Sequence, residues 1–190
     1  MLSNKCTLNK EQQAYLLDLA RQSIRHGLTH GKPIPVALAE LPAELKSIRA
    51  TFVTLERQGQ LRGCIGRLEA ARPLAEDIAE NAYSAAFQDP RFPAMRESEM
   101  EDLEIHLSLL TAAEPVAFAS EQNLLEQLQP GIDGLILAEG SQRGTFLPSV
   151  WEQLPTPKAF LDQLKRKAGL PASYWSDSIK VWRYRTEVVE

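Results

Sequence analysis

The segment from Leu61 to Gly66, LRGCIG, contains the residue types best suited to chemistry. Side chains alternate between the two faces of a strand, so Arg62 and Cys64 are expected on one face. A neighbouring guanidinium stabilises the thiolate, which is the nucleophilic form of cysteine. Gly63 and Gly66 carry no side chains, which would let a ligand approach the sulfur. The segment therefore predicts a ligand-binding, catalytic thiol at Cys64 with Arg62 beside it, although a buried structural cysteine flanked by packing glycines fits the same residues.

His106 is the second candidate for a catalytic group. It lies in a predicted strand, Leu103 to Thr111, on the polar face together with Glu104 and Ser108. If this strand neighbours the strand of Cys64, a Cys–His pair with Glu104 as its orienting carboxylate is geometrically feasible. The sequence leaves strand order open, and a hydrogen-bonded or solvent-exposed histidine is the alternative.

The segment DPRFP, from Asp89 to Pro93, is expected to form a rigid turn, because two prolines in five residues exclude a helix. Arg91 has the geometry to bind an anion through two hydrogen bonds. It could equally pair with Asp89 and hold the shape of the turn. We include Asp89, Arg91 and Phe92 in the predicted ligand-binding site.

No metal site and no particular cofactor is predicted. His26 and His30 have the spacing of a helical metal pair, but Gly27 is expected to end the helix between them. The chain has no P-loop, no dinucleotide-binding glycine pattern, no GxSxG and no HExxH.

Composition restricts the class of protein. The chain has 190 residues, of which 44% are apolar, and its net charge is −4. That charge argues against a nucleic-acid partner, which normally selects a basic excess. The two cysteines are too few for a disulfide scaffold, and no apolar run is long enough for a membrane span. The N-terminal residues lack a secretion signal, so we expect a soluble, cytoplasmic protein.

The predicted elements favour an α+β fold with an antiparallel or mixed sheet flanked by helices. Asn9 and Gln12 form a capping box for a first helix, which Gly27 is expected to end. Two strands separated by Gln58 and Gly59 form a hairpin. A single strand is predicted from Ile179 to Val189 at the end of the chain.

These segments together resemble the AMMECR domain family. The residues that carry the resemblance follow one another in this order along the chain: ATFVTL at 50–55, LRGCIG at 61–66, DPRFP at 89–93, the strand at 103–111, GIDGLIL at 131–137, GTFLP at 144–148, FLDQLKRKAGL at 160–170, and Trp175. Arg67 departs from the pattern, since a small or hydroxyl residue is expected there.

The resemblance implies one domain over 1–190 with two intimate subdomains, the larger containing both termini, and with the LRGCIG segment near the cleft between them. It also implies a Memo-like and a radical SAM protein as partners, in the AmmeMemoRadiSam system, of which this chain would be protein A. Whether the chain is an enzyme is left open. The leading hypothesis is binding of a small polar ligand at Cys64, and the alternative is a non-catalytic module that docks one of those partners.

Overall fold

The structure, a computed structural model, describes residues 8–190. Cys6, the other cysteine of the sequence besides Cys64, lies outside this range. The described chain divides into two compact units, one made of 8–110 with 187–190 and the other of 111–186. Within 8–190, none of the helices combines the length and apolar character needed to cross a membrane.

The first unit is built on a four-stranded sheet. Its strands and helices, in chain order, are α1 (Lys10–His30), α2 (Ala43–Lys46), β1 (Thr51–Arg57), β2 (Gln60–Gly66), α3 (Leu74–Phe87) and β3 (Leu103–Leu110). The strand β8 (Thr186–Val189), named for its place after the strands of the second unit, returns to this sheet. The strand order is β2-β1-β3-β8, with β1 antiparallel to both β2 and β3, so β2 is an edge strand.

The helix α1 confirms the predicted start and corrects the predicted end. Asn9 and Gln12 form the expected capping box. The helix continues past Gly27 to His30 and ends at Gly31, whose φ of 67° is left-handed. Gly27 is instead a packing residue, because a Cβ there would lie 2.4 Å from the ring of Phe87 on α3. Glycine inside a helix costs stability relative to alanine, and here it allows two core helices to approach closely.

The second unit has its own sheet and core. Its elements are β4 (Glu114–Pro115), α4 (Glu121–Gln127), β5 (Gly134–Glu139), β6 (Gln142–Phe146), α5 (Pro157–Lys167) and β7 (Lys180–Tyr184), with strand order β4-β7-β5-β6. Trp151 stacks on Phe160 in its core, with 3.9 Å between ring centroids. The single strand predicted over 179–189 is wrong, because the chain breaks at Arg185 into β7 and β8, which belong to different sheets. A hydrophobic pattern does not reveal such a change of partner strand.

The predicted α+β class with antiparallel strands is confirmed. The hairpin of β1 and β2 turns at Gln58 and Gly59, whose φ angles of 52° and 72° are both positive, as a tight hairpin turn requires. Gly63 of β2 is buried against α3, where a Cβ would lie 2.2 Å from the carbonyl oxygen of Ala85. The absence of a side chain at Gly63 therefore determines how closely the helix covers the hairpin.

Replacing Gly63 by alanine tests this close approach. The added Cβ meets rigid backbone, so we expect Gly63→Ala to lower the free energy of unfolding by about 3 kcal/mol, measured by urea denaturation. Gly59→Ala is the matched control, because its Cβ meets nothing within 4 Å and only its positive φ is penalised. It should cost about 1 kcal/mol. Equal losses in the two variants would contradict the packing role of Gly63.

Candidate functional site

The candidate site lies on the face of the first sheet that points away from α3. Cys64 is opposite Thr54 on β1, and Thr54 is opposite His106 on β3, so the three residues form a row across the sheet. The sulfur of Cys64 lies 3.3 Å from the hydroxyl oxygen of Thr54, and the cysteine is partly exposed and unpaired in any disulfide. A free thiol thus faces the same side of the sheet as a histidine, with a hydroxyl between them.

The strand order separates the two residues of the predicted Cys–His pair. A direct contact requires β2 and β3 to be neighbouring strands, but β1 lies between them. Two strand spacings place the residues about 10 Å apart, beyond any direct hydrogen bond. His106 contacts carboxylates instead, with Nδ1 3.2 Å from Glu190 Oε2 and Nε2 3.8 Å from Glu56 Oε2.

Asp89 fastens the DPRFP turn to the exposed edge of β2. The backbone amide of Cys64 donates a 2.9 Å hydrogen bond to Asp89 Oδ2. Arg91 donates to both carboxylate oxygens, at 2.9 and 2.7 Å, and its Nη2 also donates to the Cys64 carbonyl at 3.2 Å. The backbone amide and carbonyl of Cys64, which have no neighbouring strand on this edge, are thereby hydrogen-bonded to the ion pair of Asp89 and Arg91. Of the two alternatives considered from the sequence, the structure shows the pairing of Arg91 with Asp89.

Arg91 is the cation that lies at the backbone of Cys64, with its Nη2 3.2 Å from the Cys64 carbonyl oxygen. Its side chain is 54% exposed, whereas that of Asp89 is 2% exposed. Hydrogen bonds from Arg91, and then from the Cys64 amide, hold the pKa of Asp89 well below its usual range. Asp89 first, and then the Cys64 thiol, raise the pKa of Arg91. The buried carboxylate therefore anchors a guanidinium that contacts the Cys64 backbone and reaches solvent.

Arg62 does not lie where strand alternation predicts it. The register of the hairpin shifts between Leu55, opposite Gly63, and Glu56, opposite Leu61, so Arg62 is left over as a bulged residue. A bulge redirects the side chain of the extra residue. The guanidinium of Arg62 binds Glu99 at 2.7 and 3.1 Å and the carbonyl of Pro93 at 2.9 Å. The predicted partnership of Arg62 with the Cys64 sulfur is thus replaced by an ion pair with Glu99.

Glu99 is the centre of a second ion-pair network below the turn. Arg62, as the largest contributor, lowers the pKa of Glu99 to about 2, with help from the backbone amide of Arg96 and the side chain of Arg57. The Nη1 of Arg62 is buried and has no hydrogen-bond partner in the described structure. The ring of Phe92 lies between the two arginines of the site, 5.9 Å from the Arg62 guanidinium carbon and 5.5 Å from that of Arg91. These distances are in the range of cation–π attraction.

The two glycines of the segment differ in position. Gly63 points to the core and contacts α3, on the opposite face from Cys64. Gly66 is opposite Phe52, and a Cβ there would lie 2.3 Å from the Thr51 carbonyl oxygen and 2.4 Å from the Phe52 ring. Close packing explains why both positions are glycine.

Thr54 and Glu99 belong to the site but are absent from the sequence prediction. Thr54 lies on the polar side of the ATFVTLE alternation, so its position opposite a β2 residue could have been inferred once the hairpin was predicted. Glu99 is 37 residues from Arg62, and no local pattern indicates that pairing.

The geometry defines an α+β protein with a thiol–guanidinium site on the edge of an antiparallel sheet, and comparison with known proteins gives its family. The chain matches the AMMECR1 family model over residues 17–189 and belongs to that family. A protein of Methanothermobacter thermautotrophicus is 34% identical over 187 residues, covering 95% of each chain. A protein of Thermotoga maritima is 40% identical over 150 residues, covering 77% of this chain and 81% of its own. The crystal structure of the uncharacterized protein PH0010 from Pyrococcus horikoshii is similar, with a TM-score of 0.84, 33% identity, and coverage of 95% of this chain and 92% of that one.

The Glu99 network predicts acid sensitivity. Because the folded pKa of Glu99 is depressed from 4.5 to about 2, its stabilisation is complete above pH 4.5 and is lost as the pH falls toward 2. We expect Glu99→Gln to remove of the order of 2 kcal/mol of unfolding free energy at pH 7 and to flatten its decrease between pH 5 and 2. Urea denaturation at each pH measures both effects.

Glu97→Gln is the control, because it removes an exposed carboxylate from the same turn. It should retain the wild-type dependence on pH. A Glu99→Gln profile parallel to that of the wild type would contradict the assignment.

Proposed function

We propose that this AMMECR1-family chain binds a small anionic ligand beside the Cys64 thiol and acts through that thiol, as a component of a Memo-like and radical SAM system. The observation that carries the ligand part is the half-exposed Arg91 guanidinium, held by buried Asp89 and hydrogen-bonded to the backbone carbonyl of Cys64. The Nε and Nη2 donors of Arg91 are used by Asp89 and the Cys64 carbonyl, so the two N–H groups of Nη1 are the donors that would bind an anion. The thiol of Cys64, which is partly exposed, is a nucleophile when ionised.

The contacts of each residue indicate its role in the proposed site. Asp89 positions Arg91 and fixes the backbone of Cys64. Thr54 contacts the sulfur through its hydroxyl, which can donate to a thiolate. Arg62 and Phe92 stabilise the DPRFP turn. Arg62 does so through its ion pair with Glu99, and Phe92 does so through the contact of its ring with the guanidinium groups of Arg62 and Arg91. In this proposal a ligand anion lies between Arg91 and the sulfur.

Association with Memo-like and radical SAM proteins rests on family membership and not on the geometry of the site. The docking alternative requires an exposed apolar patch. The large exposed apolar side chains of the described residues lie on separate segments of the two units: Tyr15, Ile48, Leu61, Ile132 and Val188. The thiol–guanidinium arrangement is therefore the better-supported part of the proposal.

Alkylation kinetics test the proposal. In a Cys6→Ser background, the rate of Cys64 with anionic iodoacetate is compared with the rate with neutral iodoacetamide. Because Arg91 attracts the anionic reagent and not the neutral one, Arg91→Gln should lower the iodoacetate rate by about tenfold and lower the ratio of the two rates. The thermal midpoint of each variant shows whether it remains folded.

Arg62→Gln is the matched control, since it removes a guanidinium of the same strand that is bound to Glu99. It should change the iodoacetate rate by less than about twofold. A Cys64 that does not react in the native protein, or equal effects of the two variants, would overturn the proposal.

A further inference from the structure

A second cluster of chemistry-bearing side chains lies on the same face of the sheet as Cys64. Glu56 on β1 is directly opposite Glu104 on β3, and His106 follows two residues later on the same side of β3. One potential ligand atom from each of these three residues lies within 4.8 Å of the others. We name Glu56, Glu104 and His106 the carboxylate–imidazole cluster.

The two carboxylates of the cluster are unfavourably placed without a cation. Like charges directly opposite each other on paired strands destabilise a sheet. No lysine or arginine pairs with Glu56 or Glu104 in the part of the chain that the structure describes, and the one ion-pair contact of Glu56 is with His106 at 3.8 Å. The local charge therefore favours a bound cation.

His106 is oriented as a metal-ligating histidine would be. Its Nδ1 lies 3.2 Å from Glu190 Oε2, and because an ionised carboxylate only accepts hydrogen bonds, Nδ1 is the donor. In the neutral ring Nε2 then carries a lone pair, and this atom is buried without a hydrogen-bond partner. A carboxylate that accepts from the second ring nitrogen is the usual outer partner of a metal-bound histidine.

Space for further ligands lies beside the cluster. A cavity of about 510 Å³ is lined by Glu104, His106 and Glu190 on one side and by Asp18 and Arg21 of α1 on the other. The guanidinium of Arg21 is bound to the carbonyls of Met100 and Leu103, at 3.3 and 2.8 Å. It is therefore directed to the backbone, and two members of the cluster, Glu104 and His106, line the cavity.

We infer that Glu56, Glu104 and His106 bind a divalent transition-metal ion, with Glu190 as the outer partner of the imidazole. Two carboxylates with one imidazole suit Zn²⁺, Mn²⁺ and Fe²⁺, and three protein ligands leave positions open for water. The sequence prediction of no metal considered only the His26–His30 pair. The inference does not rest on the proposed role of the Cys64 thiol.

Calorimetric titration of Zn²⁺ into chelator-treated protein tests the site. We expect one equivalent to bind and to raise the thermal midpoint. His106→Gln and Glu104→Gln should each weaken binding at least tenfold, and Glu190→Gln about tenfold. Glu104 is exposed, so Glu104→Gln can lose the metal without loss of the fold, which its metal-free thermal midpoint verifies.

Two control variants distinguish this cluster from other Zn²⁺ ligands. His30→Gln removes a member of the stacked His26–His30 pair, and Cys64→Ser removes the thiol. Both should bind Zn²⁺ as the wild type does. Absence of binding, binding unchanged in Glu104→Gln and His106→Gln, or binding lost in either control variant would overturn the inference.

Discussion

The candidate site depends on one buried carboxylate at the edge of a sheet. Asp89 accepts hydrogen bonds from the Cys64 amide and from the backbone N, Nε and Nη2 of Arg91, and so it satisfies the amide of an edge strand while it anchors a guanidinium. Removing one partner of a buried ion pair leaves an uncompensated charge, which makes such an arrangement sensitive to any change. The same hydrogen bonds therefore stabilise the edge strand and position the Arg91 guanidinium beside Cys64.

Because of the bulge at Arg62, the two arginines of the site have different roles. The extra residue turns its side chain to Glu99 and Pro93, which ties the DPRFP turn to the following segment. Arg91 remains half-exposed beside the backbone of Cys64. One guanidinium is therefore structural and the other is free to meet a ligand, although both lie within 6 Å of the Phe92 ring.

The outer face of the first sheet brings together two chemistries on three strands. Cys64, Thr54 and His106 form one row, and Glu56 and Glu104 form the next. Each row draws on strands that are distant in sequence, which is how an antiparallel sheet collects polar groups on one side while its other side packs on helices. The proposed metal site takes His106 from the row that contains Cys64, and the two proposed sites have no principal residue in common.

Local sequence determined the elements of this protein and much of the site's membership. The capping box at Asn9, the hairpin turn at Gln58 and Gly59, and the non-helical DPRFP turn all follow from the preferences of adjacent residues. Family membership also followed from the order of short segments along the chain. The pairing of Asp89 with Arg91 was one of two readings that two positions in one turn allowed.

Tertiary structure decided which groups meet. A period-two pattern cannot show a bulge, so alternation placed Arg62 at the sulfur, whereas in the folded chain Arg62 binds Glu99 and Arg91 lies at the backbone of Cys64. It cannot show strand order either, so the intervening β1 separates Cys64 from His106. The contact of Arg62 with Glu99 and the position of Glu56 opposite Glu104 join residues that are far apart in the sequence. Packing of the whole unit determines which strands and turns lie side by side.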